Sequence, residues 1–264
     1  MFDFLQLVGN ENMKIYRRAR TWVMLSILAA LVLGISIIAK FVGGEDLNNW
    51  LMMNIESSIL FSFITIFTVV VSADSVAGEF TSGTIKLLLI RPWSRSKILL
   101  SKYISLLLFA VVQAILLFVL TLLLNMLLFG NDSSAGVVSE VFGVQRDIPP
   151  LAYMMLYYMY QFISLIVVVT MAFMLSTVFR SGGLAIGLSL FMLLAGNTVA
   201  GILSFLKYEW VDYLLFLHLN LTKFISEVPP GEHSLGFSLG VLGGYYVVFI
   251  ALTWYIFNKR DVAA

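Results

Sequence analysis

Six uninterrupted apolar runs dominate this chain and leave it little choice of solvent. Each is free of Asp, Glu, Lys and Arg: Thr21–Ala39, Ser57–Ala73, Tyr103–Gly130, Tyr153–Phe179, Leu184–Leu206 and Gly236–Phe257. Crossing the hydrocarbon of a bilayer takes roughly 20 apolar residues at about 1.5 Å each. A helix suits that task because it satisfies its own backbone where no water can. The shortest run, Ser57–Ala73, is bracketed by Glu56 and Asp74 and has room to extend past one of them. Only 12% of the 264 residues are charged, 60% are apolar, and the mean hydropathy is +0.97. Soluble domains carry about 25% charged residues. The expectation is an all-α membrane protein, one domain over residues 1–264 with six transmembrane helices.

Before the first run, Phe2, Phe4, Leu5, Leu7, Val8 and Met13 form an apolar face followed by Lys14, Arg17, Arg18 and Arg20. Residues 1–20 therefore read as a helix lying in the membrane interface. The first run is too long for the core of a signal peptide, and no A-x-A site follows it, so it reads as a retained span.

Orientation follows from the basic residues of alternate loops. Lys14, Arg17, Arg18, Arg20, Lys86, Arg91, Arg95, Lys97, Lys102, Arg180, Lys259 and Arg260 fall on one side, against Lys40, Arg146, Lys207 and Lys223 on the other. The basic side is expected to be cytoplasmic, with both termini there and the protein in the cell membrane. Outside lie Gly43–Asn54, Asn131–Pro150 and Lys207–Ser234. The last of these is expected to form short helices along the outer interface, and the four tyrosines of Tyr153–Tyr160 an aromatic belt.

Several chemistries are excluded. There is no Cys, hence no disulfide, thiolate metal site or cysteine nucleophile. The chain has no G-x-x-x-x-G-K-[ST], H-E-x-x-H or G-x-S-x-G. Its two histidines, His218 and His233, fall in the outer segment and read as solvated or interfacial side chains, not metal ligands. A net charge of +1 without a long basic tract gives no sign of nucleic acid binding. The apolar runs hold no ionisable group, whereas ion-coupled carriers and pumps usually keep one at membrane depth. Discontinuous helices binding ions through backbone carbonyls are the exception. Energy for transport is thus expected to arrive through a cytoplasmic loop.

One such loop, Asp74–Lys102, is patterned. Thr81 or Ser82 can cap a short helix carrying Ile85, Leu87, Leu88, Leu89 and Ile90, and Pro92 ends it. Ser94 can then cap the helix leading through Lys97 and Lys102 into the third span. The short helix, ringed by Lys86, Arg91, Arg95 and Lys97, suits either anionic lipid headgroups or a groove on a soluble partner. The run Glu79-Phe-Thr-Ser-Gly-Thr-Ile-Lys-Leu-Leu-Leu-Ile-Arg-Pro-Trp-Ser-Arg95 resembles the motif of the type-2 ABC exporter permease family. Glu79, Gly83, Thr84, Pro92, Ser94, Arg95 and Lys102 match that pattern in place. The specific part covers about 25 residues, and the six-span outline agrees with it.

The resemblance implies the permease subunit of an ATP-driven exporter. Glu79, Gly83, Thr84, Arg91, Pro92 and Arg95 would lie at the contact with a separate cytoplasmic ATPase. Two copies of that ATPase would carry ATP and Mg, leaving this chain without a cofactor, catalytic residue or metal of its own. A second permease copy or a similar permease would complete the membrane portion. The cargo would be hydrophobic or amphipathic: a lipid, peptide or antibiotic. The alternative is an ion-coupled secondary carrier or membrane scaffold without an ATPase, with a membrane enzyme a distant third.

Two further patterns concern the spans. Gly236, Gly240 and Gly244 share one face of the sixth span, and Gly183 and Gly187 one face of the fifth. Small residues allow close helix approach, here within one subunit or at a subunit interface. Gln113, Asn125 and Asn197 are polar groups near membrane depth, suited to bridging helices or to lining a translocation path.

Overall fold

The computed structural model describes residues 2–42, 48–84, 93–130, 148–206, 208–225 and 233–259. Among these the chain is helical without strands. α1 (Phe2–Tyr16) precedes six long apolar helices: α2 (Ala19–Val42), α3 (Asn49–Thr81), α4 (Arg95–Phe129), α5 (Pro150–Val178), α6 (Gly182–Ser204) and α7 (Leu235–Lys259). All six are long and apolar enough to cross a membrane.

The helix ends follow from local chemistry. Asn48 and Ser94 cap α3 and α4 through the Leu51 and Lys97 N–H groups, at 2.8 and 3.4 Å. Pro150 opens α5, where its missing donor costs nothing. Thr81 is the last residue of α3 and Ser82 its C-cap, so neither starts a new helix. Gly83, at φ +71°, turns the chain out of α3 in a conformation that a Cβ would strain. The helix expected over Ile85–Ile90, with Arg91 and Pro92, lies outside the described residues.

The spans exceed their uncharged cores. α3 passes both Glu56 and Asp74 and runs for 33 residues, about 50 Å. α5 is the most buried spanning helix and α3 the next, while α6 and α7 are peripheral. Leu60, Phe61 and Ile64 of α3 meet Leu106, Phe109 and Leu117 of α4 and Phe173 of α5 in the main core.

Polar contacts stitch these helices. Ser72 donates to the Val169 carbonyl at 2.9 Å, and Tyr103 meets Thr170 at 2.8 Å. Such bonds bind helices where apolar burial distinguishes little between protein and lipid. The C-terminus of α1, the N-terminus of α2 and the C-terminus of α7 gather at one end with the end of α3, the start of α4 and the α5–α6 turn; we call this the basic end.

Two expectations change at the opposite, far end. The tyrosines form no belt: Tyr153 and Tyr157 are buried, and Tyr158 bonds Ser57 at 2.9 Å between the rings of Phe61 and Phe118. The segment before α7 forms three 3-10 turns, Glu209–Tyr213, Leu215–His218 and Thr222–Phe224. Val211, Leu215, Leu221 and Phe224 insert into the bundle as a plug, so the segment is not simply laid along a surface.

Candidate functional site

The basic end is built around Lys102 on α4. Its ammonium is 3% exposed and donates to Glu79 Oε1 at 2.7 Å, Glu11 Oε2 at 2.8 Å and the Ser75 carbonyl at 3.3 Å. All three donors of a lysine are thereby used. Lys14 closes the ring, 2.6 Å from Glu11 and 3.1 Å from Glu79. Two carboxylates and two ammonium groups from α1, α3 and α4 thus neutralise one another, with Lys102, Glu11 and Glu79 buried and Lys14 at the exposed rim. Burial pushes the Glu11 carboxyl up, but Lys102 and Lys14 outweigh it and hold Glu11 below the usual range. Burial likewise opposes the charge of Lys14, and Glu11 and Glu79 overcome it, raising Lys14 above its ordinary value. Beside this ring, Arg18 and Arg20 both reach Asp74, Arg20 at 2.8 Å.

This places the motif residues. Glu79 is inside α3, turned toward Lys102 and Lys14, and not toward solvent on a loop. Its backbone carbonyl accepts from Thr84 Oγ1 at 3.4 Å, so Gly83-Thr84 folds back over the end of α3. Arg95 fastens the start of α4 to the end of α7, donating to the Asn258 carbonyl at 3.1 Å. Thr81 accepts from the Gly182 N–H at 3.0 Å, tying α3 to the α5–α6 turn. The segment between Gly83 and Arg95 therefore starts and ends on braced supports.

A second buried cluster lies toward the far end, and it overturns the expectation that the membrane-spanning helices lack an ionisable side chain. Glu56 of α3 is fully buried. It accepts from Ser36 of α2 and, at 2.7 Å, from Asn125 of α4. Asn125 is therefore a bridging group, as is Gln113, which is buried and accepts from Thr68 at 3.1 Å. Asn197 differs. It lines a groove of about 490 Å³ between α3, α5 and α6, roofed by Leu219, Asn220 and Thr222.

The glycines separate in the same way. A Cβ at Gly183, Gly187, Gly240 or Gly244 would meet nothing within 4 Å, and one at Gly236 would meet only Ser234 Oγ at 3.9 Å. Among the described residues, none of these five stands at a close helix contact within the subunit. The close approaches on α6 fall instead at Gly196, where a Cβ would meet the Phe216 ring, and at Gly182, where it would lie 3.1 Å from Asp74 Oδ1 and 3.6 Å from the Gly78 backbone. One residue of helix turns a side chain by about 100°, enough to move the contact off the expected face.

His218 is buried, not solvated. Its Nδ1 meets Ser238 Oγ of α7 at 2.9 Å, and its Nε2 meets the Asp212 carbonyl at 2.7 Å. Burial holds its basicity below the ordinary value of 6.5. His233 stacks on Phe237, with ring centres 4.4 Å apart.

Six apolar spanning helices, interhelical polar bonds and a basic end define a multi-pass membrane protein. The chain belongs to the family described as "Protein of unknown function (DUF2705)", whose model matches residues 19–263. It is 32% identical to "Uncharacterized protein YhcI" of Bacillus subtilis (strain 168), over 98% of this chain and 99% of that protein. It is 27% identical to "Uncharacterized membrane protein YdbK" of the same organism, over 95% and 99% respectively.

Proposed function

We propose that this chain is the permease subunit of an ATP-driven ABC exporter, with both termini cytoplasmic. A separate ATPase docks on the segment between Gly83 and Arg95, and two permeases pair across the membrane. The observation that carries this reading is the bracing of that segment: Lys102 and Lys14 hold Glu79 on one side, and Asn258 holds Arg95 on the other. A push delivered between two supports so braced is passed to α3 and α4. The motif resemblance from Glu79 to Arg95 supplies the identity of the pusher. In this reading Glu79 works as an internal brace, and the ATPase contact falls to Thr84, Arg91, Pro92 and the residues between. The groove holding Asn197 is the cargo path, and the cargo is amphipathic. Affinity purification in mild detergent tests this: a soluble ATPase with a Walker motif accompanies the chain if the reading is right.

A second reading is favoured by Glu56. A buried carboxylate among spanning helices is where an ion-coupled carrier would bind its driving ion. Vesicle transport under an imposed proton or sodium gradient, without ATP, would select it.

A further inference from the structure

The groove between α3, α5 and α6 is graded along its length, in the same sense on every helix. On α3 its lining runs from Ser58 and Ser62, nearer the far end, to Thr65 and Ile66 toward the middle. On α5 it passes from Gln161 and Ser164 to Leu165 and Val168, and on α6 from Asn197 to Leu194 and Leu193. Asn220 and Thr222 close the polar end. No Asp, Glu, Lys, Arg or His lines the groove among the described residues. Two polar groups stand unclaimed there. Neither the Ser62 hydroxyl nor the Asn197 amide has a hydrogen-bond partner among the described residues.

We infer that this groove binds an amphiphile with an uncharged, hydroxyl- or amide-bearing headgroup, the head at the far end and the chain running toward the middle of the bundle. Lipid tails leave exposed hydroxyl and amide groups unsatisfied at a cost, and a headgroup of matching donors and acceptors removes it. An ionised head would enter without a counter-charge, which is costly in a poorly hydrated site. The volume of this open groove, about 490 Å³, lies within the range of small-molecule sites. The polar-to-apolar grade matches a lipid standing in the adjacent leaflet. The inference rests on the permease reading only in naming this molecule as cargo; binding itself requires no ATPase.

The test uses the full chain reconstituted in phosphatidylcholine nanodiscs. Three amphiphiles share one photoreactive alkyl chain and differ in the head: glucoside, sulfate and trimethylammonium. The glucoside is expected to label saturably, with adducts on Ile66, Val168 or Leu193. The two charged probes should label at least about fivefold less, and Asn197→Leu should weaken glucoside labelling by about fivefold, the worth of one neutral hydrogen bond. Ser62→Ala removes only a hydroxyl that faces the groove, keeps the fold intact and should weaken labelling in the same direction. Equal labelling by the three probes, or glucoside labelling unchanged in both variants, overturns the inference. Failure to find an ATPase leaves the expected labelling as it is, so the two claims fail separately.

Discussion

Lys102 and Glu79 meet at 2.7 Å across the base of the α3–α4 connection, with Glu11 of the N-terminal helix completing the contact from beneath. This arrangement ties α1 to both α3 and α4, and under the permease reading it makes α1 part of the path along which force would pass. Leu7 and Val8 are buried, and the Val8 carbonyl accepts from Ser105 of α4 at 3.1 Å. Any force applied between Gly83 and Arg95 must therefore move α1 as well.

Removing the ammonium tests the ring. Lys102→Met leaves Glu11 and Glu79 with only the half-exposed Lys14 to balance them, and breaking a buried pair in this way costs up to about 3–5 kcal/mol. Thermal unfolding in detergent should show a large loss, partly recovered in Lys102→Met combined with Glu79→Gln. An unchanged midpoint would remove the ring from the account. Below the ordinary carboxyl value of 4.5, stability contributed by Glu11 should also fall, because its folded value is depressed and protonation releases Lys102.

Glu56 separates the two functional readings. Glu56→Gln keeps the shape and one accepting oxygen, and stability should change by less than about 1 kcal/mol. Glu56→Leu strands the Ser36 and Asn125 donors and should cost about 1–3 kcal/mol. Transport driven by ATP should survive Glu56→Gln. Transport driven by an ion gradient, if that is the mechanism, should be lost.

The plug before α7 should respond to acid. His218 is held below 6.5 by burial, so the unfolded form binds the proton more readily. Its contribution is present above pH 6.5 and is lost as pH falls through the depressed folded value. Protection factors for amide exchange in residues 208–225, each referred to the intrinsic rate at the same pH, should fall on moving from neutral to acidic buffer, and His218→Gln should blunt that change. An equal fall in both proteins would assign the effect elsewhere.

The glycines make opposite predictions. Gly182→Leu drives a side chain into Asp74 and the Gly78 backbone and should destabilise the fold by about 1–3 kcal/mol. Gly240→Leu meets open space within the subunit and should leave stability within about 0.5 kcal/mol. Loss of assembly in Gly240→Leu with an intact fold would assign that face to a partner subunit. Normal assembly would leave the glycine stripe without a role.

The six spans were legible because uncharged apolar length is a local property of the sequence. So was the Ser94 cap, a matter of one residue and its successors. The extent of α3 was not, since Glu56 and Asp74 look like boundaries until their partners are known. Those partners, Ser36, Asn125, Arg18 and Arg20, lie 20 to 69 positions away. The same distance hid the brace at Glu79, whose motif position reads as a loop while its side chain points into the bundle. The groove left a fainter trace. Ser58, Ser62 and Thr65 recur at i, i+4 and i+7, as do Tyr157, Gln161 and Ser164, spacings that place each set on one helix face. Nothing in the spacing shows that the two faces meet.

The most direct test of the central claim is site-specific photocrosslinking from Thr84 in intact cells, followed by purification of the chain and identification of its adduct. The permease reading predicts a covalent adduct to a soluble, Walker-motif ATPase, and ATP-dependent cargo movement when the two are reconstituted together. Cargo movement by the purified chain alone in liposomes, driven by an ion gradient and with no ATPase captured from Thr84, would contradict it.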